Sequence, residues 1–196
     1  MTLLILMRHG RTSASAERRL KGRLDVPLGE AGRAEVAAWR LPEDAAGARW
    51  FTSPLGRARE TAAILGVAAA VEPRLIEMHW GLWEGRSLAE LRDADPEGME
   101  ANEARGLDFR APGGESPRQV QARVAPWLAE IATGSEPVCA IAHKGVIRAV
   151  IGLATGWDFV GEPPARICYG DAHLFRLDAA GRPTVERLNL PLTGSA

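Results

Sequence analysis

The chain has 196 residues, 46% of them hydrophobic, with 24 basic against 25 acidic side chains and a formal charge of −1. That suits one soluble, globular domain over residues 1–196 with a filled core. Its two cysteines, Cys139 and Cys168, lie far apart without ligand-like spacing, which excludes a disulfide framework and suits buried thiols in a reducing cytosol.

Leu3-Leu4-Ile5-Leu6-Met7 is a short apolar run that stops at Arg8-His9-Gly10. Such a run reads as a strand buried on both faces, so Arg8 and His9 emerge where a parallel sheet binds ligands. No basic region precedes the run, and it is too short for a signal sequence or a membrane span, which points to the cytoplasm and away from membranes. Residues 8–23 carry Arg8, Arg11, Arg18, Arg19, Lys21 and Arg23 against Glu17 alone, an excess that draws anions towards Arg8 and His9. The stretch has no aromatic residue on which a base could stack, so a small phosphate fits it better than a nucleic acid.

Glu30 to Leu41 predicts a helix, and Arg49-Trp50-Phe51-Thr52 a strand that ends at Ser53-Pro54. Ser53-Pro54 then starts a helix running to Leu65-Gly66. Residues 84–108 are acid-rich and predict short exposed helices; the segment 84–112 is expected to cap one end of the sheet. Ser116, Pro117 and Gln119 form a capping box for a helix with Val120, Val124, Trp127 or Leu128, and Ile131 on its apolar face. Pro126 falls inside that helix, and Gly134 closes it.

Pro137 to Ala142 is a second fully apolar strand, ending at His143-Lys144-Gly145. Val146, Ile147, Val150, Ile151 and Ala154 then recur at helical spacing up to Gly156. Residues 173–177 and 184–188 form an antiparallel hairpin whose edge strand could pair two subunits into a homodimer. The last residues, from Pro191, are expected to fray. Strands alternating with helices predict an α/β fold: a three-layer α/β/α sandwich with a mostly parallel, mixed central sheet.

Taken together, Arg8-His9-Gly10, the Ser53-Pro54-Leu55-Gly56-Arg57-Ala58 helix start, Glu77 in the segment Leu75 to Gly85, and Ala142-His143-Lys144-Gly145 resemble the histidine phosphatase superfamily, the phosphoglycerate mutase-like fold. Gly22 to Leu28 and Gly113-Gly114-Glu115-Ser116 extend the resemblance over nearly the whole chain. It implies that His9 attacks phosphorus and becomes a phosphohistidine. Arg8, Arg57 and His143 would hold the phosphoryl oxygens, and Glu77 would donate the proton. The expected substrate is a small phosphorylated metabolite, hydrolysed without metal or other cofactor.

Physical chemistry supports those roles. A phosphate monoester is close to a dianion at neutral pH, and guanidinium forks match its oxygens. Nearby cations disfavour a protonated imidazole, leaving His9 the lone pair a nucleophile needs. Singly, each histidine reads as a structural residue, and Arg57 could be a helix-surface charge; in one register with Arg8 they read as a site. Glu84 competes with Glu77 for the acid's role.

His9, Glu77, His79 and His143 lack HxH or HExxH spacing, and the adjacent arginines would repel a metal ion. His79 stands two residues after the acid, as in cofactor-dependent phosphoglycerate mutases, and joins Ser15 and Lys144 as a peripheral substrate contact. Ser15 replaces the asparagine many family members have there. Lys144 replaces a common glycine and either meets an anion at a helix start or reaches solvent. Trp80 and Trp83 either line the mouth or pack in the core. The alternatives to a phosphatase are a mutase, whose second phosphate clamp residues 86–112 lack, and a non-catalytic phosphate binder.

Overall fold

The computed structural model describes residues 1–13 and 19–193. Its elements in chain order are β1 (Thr2–Arg8), α1 (Glu30–Ala37), β2 (Arg49–Thr52), α2 (Gly56–Ile64), β3 (Ala69–Val71), α3 (Leu88–Ala94) and α4 (Pro96–Glu103). They continue with α5 (Pro117–Ile131), β4 (Val138–Ala142), α6 (Lys144–Thr155), β5 (Ala172–Leu177) and β6 (Pro183–Leu190). The strands form one sheet in the order β3-β2-β4-β1-β5-β6. The first four are parallel, and β5 and β6 run antiparallel.

Alternation along β1 divides the core in two. Leu4 and Leu6 join Val138, Ala140 and Phe175 beneath α5 and α6, whereas Leu3, Ile5 and Met7 join Cys139, Ile141 and Leu174 beneath α2. Helices thus cover both faces, the expected three layers. Burial of Leu6 is complete. Leu6→Ala should therefore cost about 2–5 kcal/mol of unfolding free energy in a urea titration, since the rigid sheet leaves a cavity.

The capping box at Ser116 forms as expected, Pro126 lies inside α5, and Gly156 ends α6 in the left-handed conformation (φ 75°). α5 stops at Ile131, whose carbonyl accepts from the Gly134 amide at 3.3 Å. Other boundaries differ. α1 ends at Ala37, short of Leu41: Trp39 and Leu41 both pack on the second core, an i, i+2 pattern only an extended backbone can supply. α2 begins at Gly56, not at Ser53-Pro54, because Ser53 is engaged elsewhere and the Gly56 amide donates to Asp25 Oδ1 at 2.8 Å. The three-residue edge strand β3 has no detectable period of its own.

Nor does the chain fray from Pro191: Leu192 is buried, and its carbonyl accepts from the Arg40 amide at 2.6 Å. Residues 194–196 lie outside the described part. Among the described residues no helix is long and apolar enough to cross a membrane.

Candidate active site

The carboxyl ends of β1, β4 and β2 meet at one point. The His9 amide donates to the Ala142 carbonyl at 3.2 Å, and the Ser53 amide to the Ile141 carbonyl at 3.0 Å. The chain leaves β1 towards the α2 face and leaves β4 into α6 on the other, so a crevice opens between the two exits. Arg8 and His9 stand on one side of it, and His143 and Lys144 on the other.

His9 is buried, and both its nitrogens are committed. Nδ1 lies 2.7 Å from the Gly10 carbonyl and Nε2 lies 3.2 Å from Arg57 Nε. A carbonyl only accepts and a guanidinium only donates, so Nδ1 carries the hydrogen and Nε2 the lone pair. Burial, then the charges of Arg8 and Arg57, hold the imidazole pKa well below its ordinary 6.5.

Arg57, 2% exposed, spends its outer nitrogens on backbone. Nη1 donates to the Leu24 carbonyl at 2.6 Å and Nη2 to the Gly22 carbonyl at 2.7 Å. Three of the five N–H groups of a guanidinium are thereby used, leaving two for a ligand. Arg8 keeps a buried Nε that has no partner among the described residues. With His9, Gly10, Tyr169 and Gly170, it lines a cavity of about 280 Å³ whose far wall is Glu35 and Trp39.

His143 is fully buried, with its ring centroid 5.1 Å from that of His9. Its Nε2 lies 2.7 Å from Ser53 Oγ, and its Nδ1 has no partner among the described residues. Burial, followed by His9, Arg57 and Arg8, lowers its pKa well below the ordinary histidine value.

Glu77 reaches the site from another direction. Its Oε1 accepts from the Met78 amide at 2.8 Å and from the Gly145 amide, in the first turn of α6, at 3.0 Å. A Cβ at position 145 would lie 2.4 Å from that oxygen, so only glycine lets the carboxyl approach the helix start. Burial raises the Glu77 pKa and outweighs the amide bonds and the charges of Arg8 and Arg57, which lower it. Arg123 on α5 staples the preceding segment by donating to the carbonyls of Arg74 and Ile76 and to Glu115. Glu84 instead braces the loops, accepting from the Arg23 amide at 2.9 Å and the Trp80 amide at 3.2 Å.

The structure thus brings Arg8, His9, Arg57, Glu77 and His143 together. His79 turns its Nε2 to within 3.7 Å of Glu84, and Lys144 lies over the Tyr169 ring, 5.0 Å from its centroid. Ser15 lies outside the described residues. Trp80 and Trp83 stack 6.4 Å apart and pack with Phe109. Sequence reasoning missed Ser53, Asp25, Arg123 and Tyr169; Ser53 and Asp25, each inside a quoted motif, carried a signal that could have found them.

A family model described as histidine phosphatase superfamily (branch 1) matches residues 4–191. Glucosyl-3-phosphoglycerate phosphatase of Mycobacterium tuberculosis is 33% identical over 162 residues, 75% of this chain and 72% of that protein. Phosphoglycerate mutase-like protein 4 of Arabidopsis thaliana is 33% identical over 157 residues, 75% of this chain and 68% of that one. At 35% identity the chain also matches a bifunctional protein of M. tuberculosis, of which it spans 44%. In structure it is similar to the mycobacterial glucosyl-3-phosphoglycerate phosphatase solved with VO3, at a TM-score of 0.79, 26% identity and coverage of 99% of this chain and 100% of that one.

Proposed function

The chain belongs to branch 1 of the histidine phosphatase superfamily, and from that premise we propose that it is a metal-independent phosphomonoesterase acting on a small phosphorylated metabolite. The observation that carries this reading is the His9 ring: uncharged, its lone pair on Nε2, and flanked by two guanidinium groups.

His9 Nε2 attacks phosphorus in line, and the bond from phosphorus to the ester oxygen breaks. The departing oxygen takes the proton of Glu77, and the alcohol leaves. Glu77 Oε1 is held by two amides, so Oε2 is the oxygen that carries the proton. Nδ1–H stays on the Gly10 carbonyl and stabilises the phosphohistidine. Water then attacks phosphorus, Glu77 takes back a proton, and inorganic phosphate departs with His9 restored. Arg8 and Arg57 offset the charge on the equatorial oxygens at both transition states, and the neutral His143 ring adds a hydrogen bond from its Nδ1, which has no partner among the described residues.

Two arginines of the cap segment 84–112 support hydrolysis over phosphoryl return. Arg92 pairs with Glu103, and Arg110 donates to the Gly114 carbonyl, so these two are not turned to a second phosphate. A cytoplasmic setting, with a homodimer formed through the β6 edge, fits the same reading. Rapid acid-free quenching of the enzyme with a labelled monoester should trap label on His9 that acid releases and alkali does not. Turnover without that adduct would overturn the mechanism.

A further inference from the structure

Lys144 and Arg148 occupy successive turns of α6, on the His143 side of the crevice. Neither is within ion-pair distance of a carboxylate among the described residues; each rests on aromatic rings instead. Lys144 Nζ lies 5.0 Å from the centroid of Tyr169, and the Arg148 guanidinium lies 4.8 Å from that of Trp157 and 5.4 Å from that of Phe159. Cation–π packing fixes each charge in place without neutralising it. Tyr169 also shares a cavity wall with Arg8 and His9, which connects this pair to the reacting centre.

The charge balance is therefore lopsided. Arg8, Arg57, Lys144 and Arg148 stand around the crevice; of the acids near it, Glu35 is paired with Arg11 and Asp25 accepts from the Gly56 amide, which leaves Glu77 facing these four cations. Desolvation first, and then the charges of Arg148 and Arg8, lower the Lys144 pKa, with Glu77 acting in the opposite direction. One phosphomonoester dianion matches Arg8 and Arg57. It leaves two positive charges one helical turn apart on the His143 side of the crevice.

We propose that Lys144, Arg148 and Tyr169 form a second anion subsite, which takes a carboxylate or a further phosphate on the alcohol portion of the substrate. The proposal rests on the phosphatase reading and narrows it: the preferred substrates are monoesters of acidic alcohols. Lys144 and Arg148 would supply charge, and the Tyr169 hydroxyl a hydrogen bond.

Two matched pairs of esters test it. 3-Phosphoglycerate and glycerol 3-phosphate differ by a carboxylate in place of a hydroxymethyl group, and fructose 1,6-bisphosphate and fructose 6-phosphate differ by one phosphate. Wild-type kcat/KM should favour the more anionic member of at least one pair tenfold or more; which pair responds separates carboxylate from phosphate. Lys144→Gln should shrink that preference at least fivefold, and Lys144→Arg should restore most of it. A wild-type enzyme indifferent within both pairs, or a preference unmoved by Lys144→Gln, overturns the subsite. If no ester is hydrolysed, the phosphatase reading fails by itself. Calorimetric Kd values for the same pairs, on wild type and Lys144→Gln, would then decide the subsite by the same ratios.

Discussion

His9→Ala lowers kcat/KM for any phosphomonoester by about 10⁴-fold or more, which corresponds to about 5 kcal/mol of lost transition-state stabilisation. The expectation follows from geometry. His9 holds the nitrogen lone pair that faces Arg57 in the crevice, and Cys139 does not compete with it, since it lies in the sheet interior with its thiol pKa pushed up to about 12 by burial. His9→Asn preserves more of the buried volume and separates lost chemistry from lost packing. Both variants should lose turnover equally while a urea titration shows the asparagine form more stable. Residual turnover above about a tenth of wild type in either would remove His9 from the nucleophile's role.

Glu77→Gln divides substrates by their leaving groups. For an alkyl phosphate the departing alkoxide needs a proton, and losing its donor should lower kcat/KM by about 10²–10⁴-fold. For p-nitrophenyl phosphate the phenolate leaves unaided, so the loss should stay under about tenfold. The pH profile supplies a second reading. Catalysis needs His9 uncharged and Glu77 protonated. Activity therefore falls on the acid side as His9 gains a proton, at a pH well below 6.5, and on the alkaline side as Glu77 loses one, above 4.5. Both limbs are apparent values of a coupled set. Glutamine cannot titrate, so the variant should keep the acid limb and lose the alkaline one. An unchanged alkaline limb would assign it to another group.

How much of this is legible in the sequence alone depends on where each partner lies along the chain. β1, α6 and the Ser116 capping box could be read because their determinants sit within a few residues: an apolar run, a 3.6-residue period, a side chain reaching its third neighbour. The start of α2 could not, because the carboxylate that receives the Gly56 amide comes from Asp25 in a separate loop. The setting of Glu77 was equally hidden. Its carboxyl is held by an amide 68 positions away, and the missing Cβ of Gly145 looks in sequence like any other glycine. Trp39 and Leu41 misled for the opposite reason: adjacent to a true helix, their apolarity suggested its continuation, although they reach the core from extended chain. The motifs located the site; the loop carbonyls and amides that hold it carry no signature in residue type.

That last property has an evolutionary side. Arg57 is tethered through the main chain of residues 22 and 24, and almost any amino acid at position 24 would present the same oxygen. The loop can therefore change its side chains, and with them whatever leans over the crevice, without loosening the guanidinium beneath. New substrate preferences could be explored there while the phosphoryl-handling apparatus stays as it is.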